Sequence, residues 1–170
     1  SLETQTAPLR KLRIIDDTGS LIMAPNLEFE SQELNLKAFG WNIPLGLLLS
    51  ALRKRAEDLG VTFIEATATS ARSSGDAIHI ALSNTTEISA TLCLAADGAN
   101  SAMRKAAGIA TDTWSYDQTA IATSFAHSMG HGNVSTEYHK SAGPFTTVPL
   151  PENRSSLVWM ERPARAEALM

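Results

Sequence analysis

The sequence predicts an α+β fold: an antiparallel sheet carrying an inserted α/β segment. Three observations predict it. Strands with alternating apolar residues, separated by regular turns, occupy both ends of the chain, over residues 9–24 and 119–160. One amphipathic helix over residues 44–59 stops at Gly60 and runs straight into an apolar stretch. A second apolar stretch, residues 92–96, ends in Asp97-Gly98 and leads into a short helix.

Taken in order, residues 9–15 place Leu9, Leu12 and Ile14 among Arg10, Lys11 and Arg13, a half-buried strand pattern. Asp16-Asp17-Thr18-Gly19 is a turn signal, and residues 21–24 are expected to return as the second strand of a β-hairpin. Residues 25–37 are polar and irregular, and a loop or ragged strand is expected. In the helix, Leu45, Leu48, Leu49, Leu52, Ala56 and Leu59 fall on one face and Arg53, Lys54, Glu57 and Asp58 on the other. Pro44 suits the first helical position, where its missing N–H costs nothing, and Gly60 suits the C-terminal cap. Residues 61–66 read as a buried strand. A β-meander follows, with turns at 73–76 and 84–86 and alternating apolar residues at Ile78, Ile80 and Leu82, then Ile88, Ala90, Leu92 and Leu94. A short helix over residues 102–107 closes at Gly108. Four strands are expected over residues 119–126, 134–139, 145–150 and 156–160, parted by turns at 131–133, 141–144 and 151–153.

Composition narrows the function classes. The 170 residues are 44% hydrophobic and 19% charged, with 14 Lys and Arg against 18 Asp and Glu. A net charge of −4 disfavours a nucleic-acid-binding domain or a polybasic membrane-surface protein. No apolar run reaches the roughly 20 residues that span a bilayer. The single cysteine, Cys93, permits no internal disulfide, fits a reducing setting, and reads as a small buried hydrophobe within its strand. The chain starts without Met, and residues 162–170 read as a helix start that is then cut, so a piece of a longer protein is expected.

The chemistry concentrates in residues 92–104. An apolar strand ending in Asp-Gly, followed by small residues and a helix start, lets backbone N–H groups approach a phosphate or a ribose. Asp97 can accept from loop amides or a sugar hydroxyl, and Arg104 offers a cation. The same residues also suit a plain strand–turn–helix in which Asp97 or Ser101 caps the helix, and spacing alone leaves both readings open. Elsewhere, His127, His131, Glu137 and His139 lie in a Gly-containing loop and strand rather than at helical metal-ligand spacing, and no metal site is assigned. Trp41, Trp114 and Trp159 are too scattered to stack nucleic-acid bases and suit the core or a substrate wall. Arg53-Lys54-Arg55 reads as a solvated helix face. Ser101 lacks the Gly-x-Ser-x-Gly elbow of hydrolases.

Asp97-Gly98-x-x-Ser101-x-x-Arg104 after an apolar strand resembles the second FAD fingerprint of the flavin-dependent aromatic hydroxylases of the para-hydroxybenzoate hydroxylase fold. Further segments are similar to the ubiquinone-biosynthesis (2-polyprenyl-6-methoxyphenol) hydroxylase branch, in the same order. They are Phe39-Gly40-Trp41-Asn42-Ile43-Pro44, Gly108-Ile109, Tyr116-Asp117-Gln118-Thr119-Ala120-Ile121, Gly143-Pro144-Phe145 with Pro149-Leu150-Pro151, and Ser156-Leu157-Val158-Trp159. The resemblance implies that Asp97, Gly98, Ala99, Ser101 and Arg104 bind FAD. It implies strands of a substrate domain in residues 1–40 and 112–163, a Rossmann-like slice of the FAD-binding domain in 41–111, and a truncated helix start in 164–170. Strands 119–126 and 145–150 would form part of the pocket wall.

The implied reaction reduces FAD with NAD(P)H, consumes O2 and hydroxylates an aromatic ring, the cofactor supplying the chemistry and no side chain acting as acid, base or nucleophile. The implied substrate is a phenolic, lipophilic quinone precursor. The implied setting is cytoplasmic, with association at the membrane periphery left open and no nucleic acid as partner. A reductase or oxidase of the same superfamily, or a non-catalytic binding domain, are the competing readings. Departures limit the carry-over. The Gly-x-Gly-x-x-Gly run and the later Gly-Asp motif of the family are absent from these residues, and Leu45 stands where relatives commonly have Asn. The isolated chain is therefore expected to hold FAD weakly and to self-associate through residues 61–66 and 92–96.

Overall fold

The computed structural model describes residues 2–170; Ser1 lies outside them. In chain order the first elements are β1 (Ala7–Leu9), β2 (Lys11–Asp17), β3 (Leu27–Glu30), β4 (Gly40–Asn42) and α1 (Leu45–Asp58). Then come β5 (Ala68–Ser74), β6 (Ala77–Leu82), β7 (Glu87–Ala90) and α2 (Ala102–Ala106). The chain finishes with β8 (Thr119–Ala126), β9 (Val134–Lys140), β10 (Gly143–Leu150), β11 (Arg154–Glu161) and α3 (Pro163–Leu169). Two compact units result: Glu57–Ser115 forms one, and the residues up to Ala56 join Tyr116–Met170 in the other.

The unit formed from both ends of the chain is built on a six-stranded sheet of order β3-β2-β9-β10-β11-β8. Strands from the two ends thus share one layer. Four of its five pairings are antiparallel, but β2 runs parallel to β9, with Lys11 beside Val134 and Asp17 beside Lys140. The expected all-antiparallel sheet is corrected here. No hairpin links β2 to β9, and a parallel pair needs only a long connection. One face of the sheet carries a ring stack. Phe145 lies opposite both Tyr138 and Trp159, and its ring meets theirs edge to face at centroid distances of 5.9 and 5.3 Å. Such pairs contribute about 0.5–1.5 kcal/mol each beyond the area they bury. Lys11 and Arg13 of β2 pair with Glu28 and Glu30 of β3, and Lys140 with Asp17. β1 and β4 form a small antiparallel pair of their own.

The expected hairpin takes a different partner. Residues 21–24 are not a strand, and Leu21, Ile22 and Met23 are exposed. Asp16 explains this. Its Oδ1 accepts from the Thr18 N–H and hydroxyl, and its Oδ2 accepts from the Ala24 N–H at 2.9 Å, so the chain is looped out between them. β3 returns instead, and its Glu28 and Glu30 match the cations of β2. α1 forms nearly where the periodicity places it, but the half-buried side chains are Leu47, Leu48, Ala51 and Ala56, while Leu45, Leu49 and Leu52 remain exposed.

The second unit holds the antiparallel meander β5-β6-β7, with α2 packed on β5. β5 was not foreseen, because ATSARSS lacks an apolar alternation. Residues 61–66 and 92–96, expected as buried strands, are neither strands nor buried. A buried strand needs a neighbouring strand, and among the described residues no strand pairs with either segment. Cys93 is accordingly half-buried and outside any strand. Among the described residues, no helix is long and apolar enough to cross a membrane.

Gly143 opens β10 at φ +141°, where a Cβ would lie 2.7 Å from the Cβ of Met160 and 3.0 Å from the Gln118 amide nitrogen. Neither neighbour is a free chain end: Met160 meets it through Cβ, and Gln118 Nε2 donates to Ala142 O. Gly143→Ala is expected to destabilise the protein by about 2 kcal/mol or more, through backbone strain and overpacking together. Comparing urea unfolding midpoints of the two proteins checks this.

Candidate functional site

The loop after residues 92–96 is organised by Asp97. Its Oδ1 accepts from the Ser101 hydroxyl at 2.5 Å, and its Oδ2 accepts from the Met103 N–H at 3.2 Å. Ser101 Oγ in turn accepts from the Arg104 N–H at 2.8 Å and is the N-cap of α2. Arg104 Nη2 folds back to donate to Ala99 O at 2.7 Å. The five residues singled out in the sequence, Asp97, Gly98, Ala99, Ser101 and Arg104, are thereby joined into one hydrogen-bonded loop. Ser101 and Met103 are buried within it. The capping reading of the sequence is realised by Asp97 and Ser101 together, and it leaves the amide N–H groups of Gly98 and Ala99 outside these bonds. Gly98 adopts φ +86°, a left-handed conformation, with open space where a Cβ would stand.

The hydrogen bonds from Ser101, then Met103, hold the Asp97 carboxyl below the usual carboxylate range. Because the folded value is the lower one, the loop gains from Asp97 above the unfolded carboxylate pKa. The gain is lost as pH falls through the folded value. Amide chemical shifts of Ser101, Met103 and Arg104 are expected to titrate together in acid, with a midpoint below the ordinary Asp range.

A cavity of about 600 Å3 opens beside this loop, with Gly98, Ser101 and Arg104 in its wall. Asp97 and Ala99 support the wall from outside it. Apolar or small side chains line much of the remainder: Cys93, Ala95 and Met103 from the loop side, and Ala71 and Ile78 from the meander. Sequence reasoning missed these meander residues; the turn at Gly75, which folds β5 and β6 together, is the signal that could have placed them. Arg72, at the same wall, is engaged by Glu87 at 3.1 Å. The loop side of the cavity offers amides and the Arg104 guanidinium; the meander side mixes Ala71 and Ile78 with Ser73 and the Glu87-paired Arg72.

Among the described residues, no three His, Cys, Asp or Glu side chains gather as a metal site. His139 is paired with Glu137, and His127 and His131 bond to backbone and Ser155. Trp41 and Trp114 are exposed, whereas Trp159 belongs to the ring stack. Arg53, Lys54 and Arg55 lie on an exposed helix surface.

No protein-family model matches the chain. Curated proteins do. Ubiquinone hydroxylase UbiL of Rhodospirillum rubrum is 34% identical over 160 residues, which is 93% of this chain and 36% of that protein. The 3-demethoxyubiquinol 3-hydroxylase of Escherichia coli is 31% identical over 143 residues, 83% of this chain and 37% of that one. The mitochondrial ubiquinone biosynthesis monooxygenase COQ6 of Rattus norvegicus is 37% identical over 94 residues, 55% of this chain and 20% of that one. The chain thus spans about a third of the length of the first of these relatives. Among solved structures, PqsL of Pseudomonas aeruginosa, titled a probable FAD-dependent monooxygenase, superposes with a TM-score of 0.80 at 16% identity, over 99% of this chain and 46% of that one. A Klebsiella pneumoniae HpxO variant complexed with FAD gives 0.74 at 18% identity, over 96% and 43%. The fold is shared with both.

Proposed function

We infer that this chain, whose homologues are the ubiquinone-biosynthesis hydroxylases, is part of a flavin-dependent monooxygenase that uses NAD(P)H and O2 to hydroxylate an aromatic ring. The observation that carries this reading is the Asp97 loop: a fingerprint legible in the sequence closes into a preorganised, amide-presenting turn in a chain with such relatives. When bound, FAD supplies the redox and oxygen chemistry. The protein's part is to bind and orient it. Asp97 and Ser101 fix the loop, the N–H groups of Gly98 and Ala99 are offered to cofactor oxygens, and Arg104 brings a cation to the cavity wall. The donor set fits an anionic, hydroxyl-bearing group.

In this reading, residues 41–111 belong to the FAD-binding domain and residues 1–40 and 112–163 to the substrate domain, with the residues of α3 after them. The substrate is a lipophilic phenol, a quinone precursor, and the enzyme works in the cytoplasm or at the membrane periphery. The 170-residue chain alone self-associates, because residues 61–66 and 92–96 leave apolar side chains exposed.

The experiment is on the full-length parent. The expected result is a flavin absorbance spectrum and NAD(P)H oxidation stimulated by a phenol, with oxygen-18 from O2 entering the product. A folded, colourless parent overturns the reading; oxidation without label incorporation turns it towards a reductase or oxidase.

A further inference from the structure

We propose that the loop between β2 and β3 is a membrane-insertion element: Leu21, Ile22 and Met23 enter the acyl region of a zwitterionic bilayer, and the apolar face of the β2–β3 ribbon rests on the interface beside them. The proposal stands on the geometry of this loop and is independent of the cofactor reading. It deepens that reading at one point, by naming the part of the chain that would meet the membrane.

Leu21 is fully exposed, and Ile22 and Met23 are 86% and 63% exposed. The chain bends at Leu21 and Ile22, so these three side chains make a knob rather than a flat patch. The knob is held at both roots. Asp16 accepts from the Thr18 N–H and hydroxyl on one side and from the Ala24 N–H on the other. Gly19, between them, takes the left-handed φ of +76°. The tip is therefore shaped before it meets anything. From Thr18 to Leu27 the chain carries no charged side chain, so insertion takes no ion out of water. The charges at the root are matched: Asp17 with Lys140, and Arg13 with Glu28. With a net charge of −4 in the whole chain, the attraction is apolar and not electrostatic.

Exposed apolar surface marks a contact with protein or with membrane. Two observations favour the bilayer. A specific protein interface needs a broad complementary patch, whereas a fluid acyl layer closes around a knob of three residues. The ribbon that carries the knob is also two-faced. Leu12 lies opposite Phe29 and Ile14 opposite Leu27, so these four share one face, and Leu27 and Phe29 are exposed. Lys11, Arg13, Glu28 and Glu30 share the other face as ion pairs. An element with one apolar and one charged face lies along a membrane surface with its charges in water. The apolar strip ends at β9, where Glu137 stands beside Ile14 and bonds to His139. The footprint is thus the loop and the edge ribbon, not the whole sheet.

The test uses the full-length parent and vesicles of phosphatidylcholine. The wild type is expected to co-sediment with the vesicles, equally well in low and in high salt. Leu21→Glu combined with Ile22→Glu is expected to weaken vesicle binding roughly tenfold or more, since two large apolar side chains no longer leave water. Its thermal midpoint is expected to match the wild type, because both positions are exposed. Ile22→Trp is expected to add a fluorescence signal that vesicles with brominated acyl chains quench beyond the wild-type level. Four results each overturn the proposal: no vesicle binding by the wild type, binding lost in high salt, undiminished binding of the double variant, or no added quenching in Ile22→Trp. An added signal already blue-shifted without vesicles also overturns it, since another part of the parent then covers the loop. Flavin content of the same preparations tests the cofactor reading separately. A colourless parent that binds vesicles through this loop leaves the proposal standing, and a flavin-loaded parent that ignores vesicles overturns the proposal alone.

Discussion

In the full-length parent, Asp97→Ala is expected to lower FAD affinity roughly ten- to hundredfold, the range for losing hydrogen bonds to a charged group. The carboxylate is the hub of the loop: it takes the Ser101 hydroxyl at 2.5 Å and the Met103 N–H at 3.2 Å. Without it, Ser101 loses the partner that aims its oxygen at the Arg104 N–H, and the turn that presents Gly98 and Ala99 is no longer held. Asp97→Asn keeps an acceptor and is expected to fall between. The flavin-to-protein absorbance ratio after gel filtration reads both. The 170-residue chain by itself is expected to bind FAD no more tightly than micromolar, since this loop matches only one of the three motifs that the resemblance implies. Submicromolar binding of FAD by that chain would count against the assignment.

The second large effect concerns association. Leu92 and Leu94 are 68% and 82% exposed, and Val61, Phe63 and Ile64 are exposed on the other extended segment. Uncovered apolar surface of this kind favours association between chains. Covering several hundred Å2 contributes several kcal/mol, at about 25 cal/mol per Å2, before the cost of association. The isolated chain is therefore expected to sediment above monomer mass at tens of micromolar, and Leu92→Lys with Leu94→Lys to return it to monomer. A strictly monomeric wild-type chain at high concentration would sink the idea.

The strands over residues 119–161 were legible because each is short, alternating and bounded by turn residues; β8 coincides with its expected limits. The Asp97 loop was legible because a few small and polar residues at fixed spacing determine it locally. What sequence did not reveal depends on partners. Residues 61–66 and 92–96 have strand composition, but a strand is a relation between two segments, and the second is lacking among the described residues. The covered face of α1 shifted for a similar reason: periodicity gives the spacing of apolar residues, not which of two overlapping apolar faces is the more covered. β3 was hidden by Asp16, whose side chain competes for backbone amides and so displaces the return strand by several residues. Its charge complement, Glu28 and Glu30 against Lys11 and Arg13, was present in the sequence but becomes meaningful only once the pairing is known.

The parallel pairing of β2 with β9 also has a meaning in time. Lys11 waits for Val134, so β2 cannot gain its inner neighbour until most of the chain has left the ribosome. The meander of β5, β6 and β7 needs only near neighbours and can close long before. Synthesis therefore passes through a stage in which the later-numbered unit is already shaped and the first strands are still unmatched on one edge. During that interval β2 has only β3, and the ion pairs of Lys11 and Arg13 with Glu28 and Glu30 favour this register over a slipped one.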